Sequence, residues 1–144
     1  MKAFRFRLEA ALGWRGAELR LEEQALEKAL ACAAQAASEA AAVEAEIARA
    51  GRELLEAESR TGAELAAHAR WREALVQLGG EMAARRAEAE RAAAAQRLRV
   101  MEARRRVRLL ERLRERRLAQ WRYEAGRELE AFAGDAHAAR LRRE

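Results

Sequence analysis

The sequence has no proline, one cysteine and only 5% aromatic residues. Without proline, no residue forces a helix to kink or stop. A single thiol excludes an internal disulfide framework. Cys32 lies in Ala31-Cys32-Ala33-Ala34 and reads as one more small residue of an Ala-rich seam. Val and Ile together number five, too little bulk for a sheet or a thick globular core. The two histidines, His68 and His137, stand at no metal-ligand spacing from the cysteine or from each other. Gly79-Gly80 is followed by Glu81-Met82 rather than by the residues of a phosphate loop. No apolar run approaches the roughly 20 residues that span a bilayer. The opening stretch carries early positive charge but no apolar core of a signal peptide. These gaps predict a soluble cytoplasmic chain without catalytic residues, metal, cofactor or small-molecule substrate.

What remains is helix-forming material. Ala supplies 39 of 144 residues, and charged residues make up 37%. Abundant Ala, Glu, Leu and Arg with helical periodicity is the composition of a coiled coil. Leu12, Leu19, Leu26, Ala33, Ala40, Ile47 and Leu54 recur every seven residues. Leu8, Ala29, Ala36, Val43, Ala50 and Ala57 form a second row, interrupted by Arg15 and Glu22. Such paired rows are the a and d positions of a heptad seam. They predict a first helical arm over about residues 6–59.

Thr61-Gly62 and Gly79-Gly80 then bracket a short helical piece, a tip over residues 60–80, because glycine commonly ends helices. A second arm is expected over about 81–132, with a seam of Met82, Ala89, Ala93, Val100, Ala103, Val107 and Leu110. Farther on, Val107, Leu118 and Leu129 are spaced by eleven, as are Leu110, Trp121 and Phe132. An eleven-residue repeat nearly matches the natural helix. Residues 133–144 read as a frayed tail after Gly134 and Asp135. The fold class is therefore all-α, a single domain built as a long antiparallel two-helix coiled-coil hairpin. A reversal near residue 70 would set the Ala-rich stretch 29–42 against Val100, Met101, Val107 and Leu110, small residues against large. That complementarity favours the hairpin over a parallel or four-helix dimer.

Charge is unevenly spread. The net charge is +5, and residues 97–122 hold eleven Arg and three Glu. Part of this fits pairing across the arms, and the surplus suits an acidic partner. Two apolar features stand out besides. Phe4, Phe6 and Trp14 are expected near Trp121, Tyr123 and Phe132, as a plug at the open end or as a docking surface. Trp71, Leu75, Leu78 and Met82 share one helical face at the tip. That face fits local packing or a partner-binding patch.

The start Phe4-Arg5-Phe6-Arg7-Leu8-Glu9, with Leu12, Arg15 and Glu18, resembles the FliJ family of flagellar type III export proteins. The basic run from Ala103 to Val107 leading into Leu110-Glu111-Arg112-Leu113-Arg114-Glu115-Arg116 is similar to that family's C-terminal motif. The chain departs from it at Ala133-Gly134-Asp135-Ala136, where the family often has Leu-Asp-Glu. The resemblance implies a non-enzymatic stalk-like coiled coil at the cytoplasmic face of the inner membrane. It would link a FliI-like export ATPase hexamer to a FlhA-like export gate protein and escort export chaperones. Phe4, Phe6, Leu8, Arg105, Arg108, Arg112, Arg116 and Trp121 would then dock in the ATPase ring. Trp71, Leu75, Leu78 and Met82 would meet the gate. The equivalent injectisome or rotary-ATPase stalk is an alternative. An Arg-rich binder of nucleic acid or another polyanion is a further one, although no fork or turn aims base-reading residues into a groove.

Overall fold

A computed structural model describes residues 3–142. Two helices account for nearly all of them: α1, Glu9–Glu56, and α2, Gly62–Leu141. They pack against each other as a helical hairpin, with no strand among the described residues. The chain divides into two compact units. One is Leu21–Val100; the other joins Met1–Arg20 to Met101–Glu144.

In the Leu21–Val100 unit the chain reverses over residues 57–61, a normal length for a helix–helix connection. Helix α1 stops where Glu53, Glu56 and Glu58 crowd its C-terminus, the end that disfavours negative charge. No basic residue lies in its last turn, and Arg60 Nη2 instead reaches back to donate to the Glu53 carbonyl at 3.1 Å. Helix α2 opens with a reciprocal capping box. The Thr61 N–H donates to Glu64 Oε2 at 2.8 Å, and the Glu64 N–H donates to Thr61 Oγ1 at 3.3 Å. The Thr61 N–H, then its hydroxyl and the Arg60 charge, hold the Glu64 carboxyl below its ordinary pKa. A lowered folded-state pKa stabilises above the ordinary carboxylate range, and the gain is lost as pH falls through the lowered value. Separately, Thr61→Ala removes the hydroxyl that caps the Glu64 N–H and is expected to cost about 1 kcal/mol as the loss of an N-cap. Glu64→Gln should melt below the parent at pH 7 and approach it as pH falls through the lowered Glu64 pKa, measured by circular dichroism.

This placement corrects the expected tip. Gly79-Gly80 ends nothing: α2 runs through both, and no described glycine has a positive φ. Glycine in a helix interior costs only about 1 kcal/mol against alanine, which neighbouring turns absorb. Gly79 also has a packing role. A Cβ built there would meet Ile47 Cδ1 at 3.0 Å and Val43 Cγ1 at 3.7 Å, whereas one on Gly80 would meet nothing within 4 Å. Gly80→Ala is expected to raise stability by up to about 1 kcal/mol. Gly79→Ala should gain less, because Ile47 must shift; thermal melts of the two variants give the comparison.

The register moves with the turn. Val43 and Ile47 lie on Gly79, and Glu22 pairs with Gln96, partner numbers adding to 122, 126 and 118. With a mean sum of 122, stretch 29–42 faces about 93–80 (122 − 29 and 122 − 42), not Val100 to Leu110. Much of this stretch sets alanine against alanine, but Ala40 falls opposite Met82, and Gly79 takes the larger Val43 and Ile47, so small meets large with other partners than expected. Of the seven buried hydrophobic residues, Ala40, Ala50, Ala93, Ala103 and Ala125 are alanines, and only Met82 and Val100 are larger. Each alanine buries little apolar area, so stability leans on helix propensity along the whole length. The seam also holds one polar pair. Gln96 Nε2 donates to the Glu22 carbonyl at 3.1 Å and to the Glu22 carboxylate. A polar pair among apolar neighbours penalises slipped registers, which matters in a seam of near-identical alanines. Cys32, expected within this seam, lies beside it and is exposed.

In the other unit, Glu18 pairs with Arg106 and Glu9 with Arg114, and the Phe4 ring meets Trp121. These sums are 124, 123 and 125, again antiparallel. The covered positions of α2 follow the expected rows through Ala103, Val107, Leu110, Leu118 and Trp121, then pass to Ala125, outside those rows, while Leu129 and Phe132 within them are exposed. Helix α1 begins at Glu9 rather than at residue 6, because residues 3–6 stay extended along α2. The expected frayed tail is corrected for its described part. Helix α2 continues to Leu141, and residues 143–144 lie outside the described residues.

Candidate docking surfaces

The aromatic cluster forms on the unit that unites Met1–Arg20 with Met101–Glu144. Residues 3–8 lack helical hydrogen bonds until the Glu9 N–H donates to the Phe6 carbonyl at 3.2 Å. Their alternation places Phe4 and Phe6, both half-buried, on α2, while Arg5 and Arg7 face outward. Phe4 and Trp121 stack at 6.0 Å between centroids with a 55° tilt. Such tilted aromatic pairs contribute roughly 0.5–1.5 kcal/mol beyond area burial. Beside them lies a groove of about 900 Å³ with an apolar floor of Phe4, Phe6, Leu8, Leu113 and Trp121. Its rim is Arg5, Arg7 and Arg117, with Gln120 and Glu124 on the far side. An open apolar groove under a cationic rim accepts an apolar side chain carried on an acidic segment.

Only part of the expected cluster assembles. Trp14 is 62% exposed and carries the Arg15 guanidinium 4.6 Å over its ring instead of joining Phe4. Tyr123 and Phe132 are also exposed. Tyr123 falls opposite the seam of α2, and Phe132 lies beyond the stretch that residues 3–8 cover.

The basic stretch splits by face. Arg106 binds Glu18 at 3.7 Å and Glu102 at 3.3 Å, and Arg114 binds Glu9 at 3.2 Å. Arg105, Arg108, Arg112 and Arg116 are all exposed and make no ion pair among the described residues. At about 100° per residue, Arg112 and Arg116 fall roughly 20° to either side of Arg105. Ala103, Val107 and Leu110 lie on the opposite side, against α1. Four unpaired guanidiniums therefore share the outward face of α2. Leu109 and Tyr123 stand exposed on that face with them.

In the Leu21–Val100 unit, the four tip residues separate. Met82 is 8% exposed and belongs to the seam, and Leu75 is half-buried beside it, one heptad away. Trp71 and Leu78, seven apart, remain exposed at the seam's edge. His68 meets Trp71 edge-on at 5.5 Å, and its buried Nε2 has no hydrogen-bond partner. The expected four-residue patch is thus corrected to two: the turn lies at 57–61, so α1 already covers Leu75 and Met82.

Among the described residues no group of three or more His, Cys, Asp and Glu is placed to hold a metal ion. No described helix is long and apolar enough to cross a membrane. Comparison with known proteins finds no matching family model, no similar curated protein and no similar solved structure.

Proposed function

We propose that the chain is a non-enzymatic helical adaptor of the FliJ type, acting at the flagellar type III export apparatus. One observation carries the reading. The two segments that resemble that family, residues 4–9 and 103–116, are far apart in sequence yet form one surface. The Glu9–Arg114 ion pair joins them, and the Phe4–Trp121 stack holds the first against α2 just beyond the second. That surface combines an apolar groove with a cationic rim and an unpaired Arg face, suited to an acidic protein partner. In this reading the partner is the export ATPase ring. Contacts through exposed charge are screened by salt and exchange readily, as a component that must engage and release requires.

The test is direct. Added to purified export ATPase, the chain should promote hexamer assembly and raise the hydrolysis rate. Unchanged assembly and rate would sink the proposal. Trp71 and Leu78 are the residues we assign to the gate. Trp71→Ala with Leu78→Ala should leave helicity and melting within about 0.5 kcal/mol of the parent, as exposed sites do. Binding to the gate's cytoplasmic domain should fall; a large loss of stability would mark the pair as core. An injectisome role uses the same surfaces, and the genes beside this one, flagellar or secretory, separate the two.

The unpaired face of Arg105, Arg108, Arg112 and Arg116 also supports a second reading, a polyanion binder. That reading requires duplex binding whose affinity falls steeply with salt. A gel shift at physiological salt that shows no complex would remove it.

A further inference from the structure

Ala125 is the last residue of α2 that is buried among those whose burial is described, yet the helix continues to Leu141. Every side chain from residue 127 to 138 is exposed, including Leu129 and Phe132, the latter at 75%. A segment with Gly126 and Gly134 has weak intrinsic helix stability, and it leaves two large apolar side chains in water. Such a segment calls for a partner.

The pattern on its face names one. Leu113, Arg117, Glu124, Glu128 and Phe132 follow at intervals of four and seven, within about a quarter of the helix circumference. The stripe runs apolar, basic, acidic, acidic, apolar, and its outer four residues, all but Glu124, are self-complementary when one copy is reversed. An antiparallel copy in one register sets Arg117 against Glu128 and Leu113 against Phe132, since both pairs add to 245. A two-fold axis makes each contact twice, the requirement of an isologous interface. Phe132 then meets the groove floored by Phe4, Phe6 and Leu113, whose rim carries Arg5, Arg7 and Arg117. Of the charged side chains flanking Phe132, Glu128, Glu130 and Asp135 are acidic against one arginine, Arg127, and the groove lining holds three arginines against Glu124.

We infer that residues 113–132 of α2 form a homodimerisation surface, with the uncovered segment of each copy seated in the aromatic groove of the other. The inference does not depend on the export reading, because it uses only complementarity within this chain.

Charge exchange tests it on the full chain by sedimentation equilibrium across roughly 1–200 μM, a range bracketing the weak affinity of a small interface. The parent is expected to show a monomer–dimer equilibrium. Arg117→Glu and Glu128→Arg should each weaken it by about tenfold or more, because two like-charge pairs replace two opposite ones. The double exchange R117E/E128R should recover to near the parent, and ellipticity at 222 nm should stay equal throughout. A chain monomeric at every concentration overturns the inference, as does a double variant no better than the singles. Monomeric behaviour combined with weaker ATPase binding by Phe132→Ala would assign the segment to that partner and also overturn it.

Discussion

Val100→Asp is expected to unfold the hairpin at a much lower urea concentration, with a loss of about 3 kcal/mol or more. Val100 is 2% exposed, one turn beyond Gln96, whose amide reaches Glu22. An aspartate there would give up the buried apolar area and place a carboxylate against α1 with no cation assigned to it. The loss should be disproportionate, because most buried positions are alanines with little burial to contribute. Leu98→Asp, two residues away and at a site 67% exposed, controls for the added charge and should stay within about 0.5 kcal/mol of the parent. Urea melts followed at 222 nm read both variants. Equal midpoints for the two aspartates would mean that α1 does not cover this face of α2.

The same seam shows what periodicity can and cannot convey. Heptad spacing finds the covered face of each helix, because a fixed angle per residue puts every a and d position on one side. Met82, Ala93, Val100 and Ala103 on α2, and Ala40 and Ala50 on α1, are buried as their rows require. Periodicity does not say where the chain reverses. Thr61-Gly62 and Gly79-Gly80 both read as breaks, and only the first is one, where the Thr61–Glu64 capping box opens α2. It satisfies otherwise orphaned amides at a helix start, whereas glycine merely lowers helix propensity. Moving the reversal from about residue 70 to 57–61 shifts the facing register by nearly twenty residues, enough to give every seam residue a different partner. Neither does periodicity say where a partner helix ends. Leu129 and Phe132 sit in the same rows as Leu118 and Trp121, and only the start of α1 at Glu9 decides that one pair is covered and the other exposed. Of the proposed docking residues, alternation and the paired aromatics marked Phe4, Phe6 and Trp121. The division of the arginines into paired and unpaired faces needed the register.

That division sets the second large expected effect. The triple variant Arg105→Glu, Arg112→Glu, Arg116→Glu should keep the parent's helicity and melting temperature. None of the three arginines holds an ion pair among the described residues, and reversing them relieves crowding with neighbouring cations. Arg106→Ala with Arg114→Ala removes contacts to Glu18 and Glu9 instead, and should cost stability by about 1 kcal/mol or less. If the outward face docks on an acidic surface of the export ATPase, the triple variant should bind it about a hundredfold or more weakly and lose its effect on hydrolysis, while the double variant keeps both. Salt separates the ATPase from a nucleic acid on the same face. Duplex binding would lose a slope of about 0.9 in log K against log salt for each phosphate contact removed, irrespective of sequence. A protein partner would give a shallower, saturating dependence, with the apolar groove at Phe4 and Trp121 retaining part of the affinity at high salt. Phe6→Ala therefore completes the comparison. It should weaken the ATPase complex at every ionic strength and leave duplex binding untouched, because its ring lines the groove rather than the Arg face.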